Sequence, residues 1–174
     1  LVQWLTAVGA GKPGVLTQVG LHTFVDPRVE GGRLNDRTTK NLAEVMTIRG
    51  REYLFYPTFP VDVAIVRGTT ADQDGNISME EEPNTLAMAD IAMAAKNSGG
   101  KVIAQVKRVA KRGTLDPRLV RIPAPLVDAV VVHRHQTQLT PATPGGREGH
   151  NPALCGDARV PLDTIPPLPL AAPR

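Results

Sequence analysis

The sequence predicts an α/β protein in which a helix packs on a parallel sheet, and three observations predict it. The apolar run at 63–66 is continuous, as in a strand buried on both faces. The alanine-rich stretch at 85–96 has apolar residues at helical spacing. A second apolar run at 102–106 follows it. The order strand, helix, strand therefore predicts two parallel strands joined by a right-handed crossover.

The other elements give weaker signals. Residues 1–22 are rich in glycine, and residues 52–56 predict a strand or hairpin. Pro57 and Pro60 should end that strand, because proline donates no ladder hydrogen bond. A further strand is predicted at 127–132. The helix should present one apolar face, formed by Met88, Ile91, Ala92 and Ala95.

Composition bounds the class of protein. The chain has 174 residues, of which 41% are apolar and 3% aromatic, so an aliphatic core is available. No apolar run is long enough for a membrane span. The single cysteine, Cys155, excludes an internal disulfide framework and predicts a cytoplasmic location. We therefore expect a folded domain at 1–135, followed by a proline-rich linker at 136–174.

Charge is unevenly distributed, although the net charge is only +3. Most of the charged residues at 61–95 are acidic, and most of those at 96–121 are basic. The basic block has no interleaved aromatic residues and no nucleic-acid-reading motif, so we expect no nucleic-acid partner. Lys12 lies in a glycine-rich stretch, but Pro13 follows it where a phosphate-binding loop needs Ser or Thr.

A ligand-binding rim is predicted after the first parallel strand, because open α/β sheets bind ligands at the carboxyl ends of their strands. The loop at 68–76 carries the candidate substrate-binding residues Gly68, Thr69, Thr70 and Asn76. Glycine lets a backbone approach a ligand, and Thr and Asn offer hydrogen bonds. The alternative interpretation is a tight surface turn at Asp74–Gly75.

Two other groups of residues carry potential chemistry. The run of Glu80, Glu81 and Glu82 has two interpretations. One of these carboxylates acts as a nucleophile or a general base, or all three form a solvated acidic run before a helix. A zinc site would need ligands from His133, His135, His150 and Cys155. Their spacing matches no standard zinc motif, so no metal is predicted.

Several strings in register resemble the family I coenzyme A transferases of the single-chain acetate/propionate type. They lie at residues 23–28 (Thr-Phe-Val-Asp-Pro-Arg), 31–35, 50–54, 62–72, 75–82 (Gly-Asn-Ile-Ser-Met-Glu-Glu-Glu), 98–107 and 126–128. The resemblance runs from about residue 8 to about residue 168. It implies a three-layer α/β/α fold with a mostly parallel sheet, incomplete at its N-terminus, in a first half that a linker joins to a second half.

The resemblance also implies a reaction. In this family a glutamate attacks an acyl-CoA thioester, and CoA is carried as a glutamyl thioester to an acceptor acid such as acetate. That glutamate belongs to a Ser-Glu-Asn-Gly-type motif of the second half, a motif that this sequence lacks. No catalytic residue is therefore assigned here, and Glu80–Glu82 match a string that does not hold the nucleophile.

Two functions stay open. The chain is either part of a CoA-transferase, with acyl-CoA and a carboxylic acid as substrates and no permanently bound cofactor, or a non-catalytic α/β domain that keeps the fold. The first function implies the C-terminal half as a partner, inactivity of this chain alone and assembly of the full enzyme as a homo-oligomer. The sequence does not determine the preferred acyl group.

Overall fold

A computed structural model of the protein describes residues 1–82 and 84–136, which form two α-helices and ten strands. The helices are α1 (Val2–Gly9) and α2 (Met88–Asn97). The strands are β1 (Gly14–Thr17), β2 (Glu44–Ile48), β3 (Arg51–Pro57), β4 (Val63–Arg67), β5 (Thr70–Asp72), β6 (Ile77–Ser78), β7 (Lys101–Val106), β8 (Arg108–Ala110), β9 (Val120–Ile122) and β10 (Ala129–Val132). Short 3-10 helices at Pro117–Leu119 and Ala124–Leu126 flank β9. Residues of the predicted linker beyond 136 lie outside the described residues.

The central sheet has three parallel strands in the order β10–β7–β4. Ala64 of β4 lies opposite Val102 of β7, and Val132 of β10 lies opposite Val106. Because α2 precedes β7 and follows β4 in the chain, the predicted parallel β-α-β unit is confirmed. The predicted strand at 127–132 is also present and begins at Ala129.

Helix α2 packs on this sheet through the predicted apolar face. Ala92 and Ala95 are fully buried, with Met88 and Ile91 packed against the same core. Their short side chains allow the helix to approach the strands closely. The helix begins at Met88, three residues later than predicted, since Leu86 has φ 44° and lies outside the helical region.

One prediction about the central sheet is wrong. The run at 63–66 is not buried on both faces: Ala64 and Val66 are buried, but Val63 is 53% exposed and Ile65 is 75% exposed. Successive residues of a strand point to opposite faces. Within the described residues α2 covers one face of β4, and the other face remains accessible.

An antiparallel sheet, in the order β1–β3–β2, precedes the central sheet. Strand β3 confirms the strand predicted at 52–56, and Pro57 is its last residue, opposite Gly14. Gly14 is required there, because a Cβ atom would overlap the ring of Phe55. Helix α1 falls in the glycine-rich segment for which no helix was predicted. Its stability comes from packing of Leu5 and Val8 against α2.

The loop between β1 and β2 is organised around a buried carboxylate. Asp26 is fully buried and accepts backbone hydrogen bonds from His22 at 2.9 Å and from Arg28 at 3.0 Å. The Arg28 guanidinium also bonds Asp26 at 2.9 Å and reaches Glu52 of β3 at 2.9 Å. The hydrogen bond from Arg28 is the main reason that the pKa of Asp26 lies far below its ordinary value.

A third sheet, in the order β8–β5–β6–β9, lies beyond the carboxyl ends of β4 and β7. Strands β5 and β6 fall within residues 68–78, and β5 corrects the prediction that 68–76 is entirely loop. β5 pairs in parallel with β8 and antiparallel with β6. The α/β class is confirmed, with parallel pairing in the central sheet and mixed or antiparallel pairing in the other two.

Candidate functional site

The carboxyl edge of the central sheet is the candidate site. The three parallel strands end at Arg67, Val106 and Val132, and polar residues follow each of them. Strand carboxyl ends are where open α/β sheets place ligands. Three groups of residues singled out in the sequence lie on segments that meet at this edge or at the third sheet beyond it. They are the predicted rim residues, the three glutamates and the two described histidines.

The start of the predicted rim is tightly built into the sheets. Thr69 is fully buried: its N–H donates to the Ser78 carbonyl at 2.8 Å, and its carbonyl accepts from Lys107 at 2.9 Å. Its hydroxyl accepts the N–H of Glu81 at 2.9 Å. Gly68 has no room for a side chain, because a Cβ would overlap Ile77. These polar groups are thus engaged within the chain.

The other two rim residues are engaged as well. The hydroxyl of Thr70, which is almost fully buried, donates to a carboxylate oxygen of Glu80. Asn76 donates its amide to Asp72 at 2.9 Å and accepts the N–H of Ala124 at 3.0 Å. The structure therefore uses Asn76 to close a turn and to tie it to the segment before β10. Contact of the four rim residues with a substrate stays a prediction.

A tight turn lies at Asp74–Gly75, where the alternative interpretation of the rim predicts one. Asp72 accepts the N–H groups of Asp74 and Asn76, each at 2.9 Å. Gly75 has φ 98°, in the left-handed region that favours glycine. Burial is the largest influence on Asp72 and opposes ionisation, but the hydrogen bonds from Asn76 and its neighbours leave the pKa of Asp72 below its ordinary value.

The three consecutive glutamates form a paired cluster, called here the glutamate cluster, with Arg67, Lys107 and Arg108. Glu81 bonds Lys107 at 2.6 Å and Arg108 at 2.6 Å. Both bonds hold the pKa of Glu81 below its ordinary value, and the bond from Lys107 has the larger effect. Burial raises the pKa of Glu80, but hydrogen bonds from Ser78 and Thr70 bring it below the ordinary value.

Glu82 is the most buried member of the glutamate cluster. Its side chain is 5% exposed and bonds the Arg67 guanidinium at 2.9 Å. Gln136, also buried, donates to Glu82 at 3.2 Å and to the Gly68 carbonyl at 2.7 Å. Gln105 of β7 donates to Gln136 at 3.0 Å. This network joins the ends of all three parallel strands.

Sequence reasoning missed Arg67 and Gln136 as members of this edge. A usable signal was present, since polar residues directly after parallel strands converge at one edge. The prediction that the glutamates form a solvated acidic run is wrong, because each of them is paired within the chain. A nucleophile needs an accessible, activated carboxylate, whereas these carboxylates accept several short bonds. The arrangement fits a role in holding the edge together.

The histidines lie at the end of β10. His133 and His135 have their ring centroids 6.5 Å apart, and both are exposed. His150 and Cys155 lie outside the described residues. Among residues 1–82 and 84–136 no group of three or more His, Cys, Asp or Glu side chains is arranged to hold a metal ion.

Comparison with known proteins decides the family. A model of the family described as Coenzyme A transferase matches residues 1–133. The chain belongs to the coenzyme A transferase family. The resemblance that the sequence strings indicated is therefore confirmed, and with it the α/β fold of this family.

Curated relatives of this chain carry more specific names. It is 48% identical over 165 residues to caffeate CoA-transferase of Acetobacterium woodii, an alignment covering 94% of this chain and 30% of that protein. It is 41% identical over 170 residues to acetate CoA-transferase YdiF of Escherichia coli strain K12, covering 98% and 31%. The chain thus spans about 30% of the length of these relatives.

Solved structures of CoA-transferases share the fold of this chain. The apoenzyme of the acyl-CoA transferase YdiF from E. coli O157:H7 has a TM-score of 0.82 at 40% identity, covering 92% of this chain and 30% of that chain. The same enzyme in a thioester complex with CoA has a TM-score of 0.77, covering 84% and 30%. Glutaconate CoA-transferase of Acidaminococcus fermentans, at 22% identity and a TM-score of 0.59, shares the fold over 75% of this chain and 42% of its own.

In the described part of this chain, neither α-helix has the length and apolar character that crossing a bilayer requires. The carboxyl edge of the central sheet is held together by side chains of this chain. Arg67, Glu82 and Gln136 join the strand ends, and the rim beyond them is fastened by Thr69 and Asn76.

Proposed function

We propose that this chain is part of an acyl-CoA:carboxylate CoA-transferase, which transfers CoA from a short-chain acyl-CoA to acetate or a similar acid. The observation that carries the proposal is the family match over residues 1–133, together with 41% identity to a protein named acetate CoA-transferase. Acetate and caffeate occur in the names of two relatives, so the acyl group is left open. CoA enters as a substrate, with no permanently bound cofactor.

In the proposed reaction a glutamate outside this chain is the nucleophile. Its carboxylate attacks the thioester carbonyl, and the CoA thiolate is expelled as the C–S bond breaks, which leaves a mixed anhydride between the glutamate and the acyl group. The thiolate then attacks the glutamyl carbonyl, which releases the donor acid and leaves CoA on the glutamate. The acceptor carboxylate then goes through the same two exchanges in the opposite order, which forms the new acyl-CoA and frees the glutamate. The thioester is exchanged in this way and is not hydrolysed. The paired state of Glu80, Glu81 and Glu82 supports placing the nucleophile elsewhere.

This chain would supply the sheet and one wall of the substrate space, and a C-terminal CoA-transferase half would supply the nucleophile. The predicted rim is retained in this proposal: Gly68, Thr69, Thr70 and Asn76 would set the shape of the wall beside the substrate. Residues 136–174 would link the two halves, and the whole enzyme would form a cytoplasmic homo-oligomer.

A CoA-exchange assay tests the proposal. The chain is incubated with propionyl-CoA and acetate, alone and with a CoA-transferase second half that contains a Ser-Glu-Asn-Gly-type motif, and acetyl-CoA is measured. We expect exchange only with the second half, and a covalent CoA adduct on its glutamate by mass spectrometry. Replacing that glutamate with Gln should abolish both, whereas Glu30→Gln in this chain, at an exposed position, should change neither.

Two results would contradict the proposal. Exchange that persists after the glutamate of the second half is replaced would remove the glutamyl thioester from the mechanism. Absence of exchange with every second half, in a chain that folds normally by circular dichroism, would favour the non-catalytic α/β domain.

A further inference from the structure

One face of the antiparallel sheet β1–β3–β2 presents apolar side chains to the surface. Side chains alternate between the two faces of a strand, and the fully buried Leu54 marks the inner face. The apolar residues of the opposite face, called here the outer face, are Leu16, Met46, Ile48, Tyr53 and Phe55. The three aliphatic ones are exposed and the two aromatic ones half-buried. A continuous apolar patch on a protein surface indicates a contact with another molecule.

The outer face is preformed by the register of its strands. Leu16 of β1 lies opposite Phe55 of β3, and the Phe55 ring occupies the space that a side chain at Gly14 would need. The two-residue turn Arg49–Gly50 joins β2 to β3, with φ values of 50° and 75°. Turns of this length fix the register of a hairpin. A partner can therefore bind the outer face without first ordering it.

Two charged residues lie at opposite ends of the outer face. Glu44 begins β2 and Arg51 begins β3, and both are exposed. Within residues 1–82 and 84–136 neither of them forms an ion pair. Arg51 lies opposite Ile48, four residues along β2 from Glu44, which corresponds to about 14 Å. The outer face therefore has a negative end and a positive end that cannot pair within one chain.

This distribution of charge is self-complementary under a two-fold axis. The axis would lie between two copies packed face to face and run across the strands at the Met46–Tyr53 pair. Rotation about it keeps the order of the strands and reverses their direction, so each negative end meets a positive end. Glu44 then lies above the partner's Arg51. Sheets packed face to face are about 10 Å apart, a gap that these two long side chains can span.

The same rotation gives the remaining residues suitable neighbours. Met46 and Tyr53 meet their own copies at the axis, and methionine and aromatic residues are common at the centre of interfaces. Arg51 lies above the partner's Phe55, where a cation-π contact is favourable. A partner of one charge sign would instead be repelled at one end of the outer face. The charge pattern therefore favours a second copy of this chain as the occupant.

We propose that the outer face is an interface between two copies of this chain, related by a two-fold axis at Met46 and Tyr53. Its centre is apolar, and Glu44 and Arg51 form an ion pair with the partner at each end. The face spans about 14 Å across three strands and about 17 Å along five residues. An interface of this size gives a weak dimer. The proposal does not depend on the CoA-transferase reaction.

Sedimentation equilibrium of the 174-residue chain, from micromolar to near-millimolar concentration, tests the proposal. We expect monomers at the lowest concentration and dimers at the highest. Glu44→Arg and Arg51→Glu should each weaken the dimer roughly tenfold, because each substitution brings like charges together at both ends. An equimolar mixture of the two variants should dimerise like the unchanged chain, because both ends of the mixed dimer join opposite charges.

Met46→Lys tests the centre of the interface. It places two ammonium groups together at the axis, so this variant should stay monomeric. Thr47→Lys is the matched control, because Thr47 is the next residue of β2, is exposed and belongs to the opposite face of the sheet. This control should dimerise like the unchanged chain. Circular dichroism of all four variants verifies the fold.

Three outcomes would overturn the proposal. A chain that is monomeric at every concentration would leave the outer face to another molecule or to residues outside the described part. A dimer that Met46→Lys does not weaken would place the interface elsewhere. Failure of the mixed charge variants to recover dimerisation would contradict the two-fold arrangement. None of these results bears on the proposed function, which the exchange assay measures separately.

Discussion

The glutamate cluster and the His-Arg-His turn, residues 133–135, share one edge of the central sheet but differ in how their charges are used. In the glutamate cluster every carboxylate meets a cation of the same chain, and Glu82 is 5% exposed. In the turn His133, Arg134 and His135 are all exposed. Buried, paired charges fix a structure because removing one partner leaves the other desolvated. Exposed charges contribute little to folding, and they remain accessible to a ligand.

The largest expected effect is acid unfolding, which discharges the paired carboxylates together. The pKa values of Glu80 and Glu81 lie below their ordinary values, and backbone bonding from Val102, with Lys96, lowers the pKa of Asp128 to about 2. A group with a lowered folded-state pKa stabilises the protein above its unfolded pKa. That stability is lost as pH falls through the folded-state value. We therefore expect stability to fall between about pH 4 and pH 2.

Urea unfolding at a series of pH values measures this effect. Glu81→Gln should be less stable than the unchanged chain at pH 7 and should lose less stability on acidification, because one of the linked groups is gone. A free energy of unfolding that stays constant from pH 7 to pH 3 would contradict the assignment of these pairs as structural.

Glu82→Ala should give the largest single-site loss, about 3 kcal/mol, because it removes a buried carboxylate that bonds Arg67 and Gln136. Glu44→Ala on β2 removes an exposed glutamate and should cost less than about 0.5 kcal/mol. Equal losses in the two variants, measured by urea unfolding at pH 7, would show that pairing at the edge adds no stability.

Asn76→Ala should destabilise by about 2 kcal/mol, because the N–H of Ala124 and a carboxylate oxygen of Asp72 both lose their partner. Asn41→Ala, at an exposed loop position, is the control and should have a small effect. The variant also tests the predicted rim. If exchange with the second half falls much further than the loss of folded protein explains, Asn76 contacts substrate as well.

Arg134→Gln should have the smallest effect on folding, within about 0.5 kcal/mol, because an exposed surface charge is being replaced. Thermal unfolding of this variant and of Arg121→Gln should therefore coincide. A large loss of stability in Arg134→Gln alone would contradict this expectation. It would show that Arg134 stabilises the fold, as the paired charges of the glutamate cluster do.

Much of the fold was predictable because its signals are local. The apolar runs at 63–66 and 102–106, with the alanine-rich helix between them, predicted two parallel strands and the helix face that packs on them. Helix α1 was missed, since it has only eight residues and is stabilised by packing on α2 rather than by a long local pattern. Burial of Ile65 was predicted wrongly, because a continuous apolar run does not reveal whether anything covers its second face.

The candidate site was predicted less completely. The rim at 68–76 was predicted from strand order alone. That order did not reveal that Thr69 bonds Glu81 or that Asn76 bonds Ala124, 48 residues further along the chain. Gln136 joins Gly68 across 68 residues of sequence, and no local pattern signals such a bond. Which charges are paired depends on distances between strands, which single-sequence reasoning does not supply.

The sequence by itself determined the α/β class, the parallel β-α-β unit and the family, because periodicity and the ordered strings at 23–28, 75–82 and 98–107 are properties of the chain alone. Only the tertiary structure decided that the three glutamates are paired while the His-Arg-His turn is exposed. The physical reason is that pairing and desolvation depend on the approach of segments distant in sequence, such as Arg67 and Glu82 with Gln136.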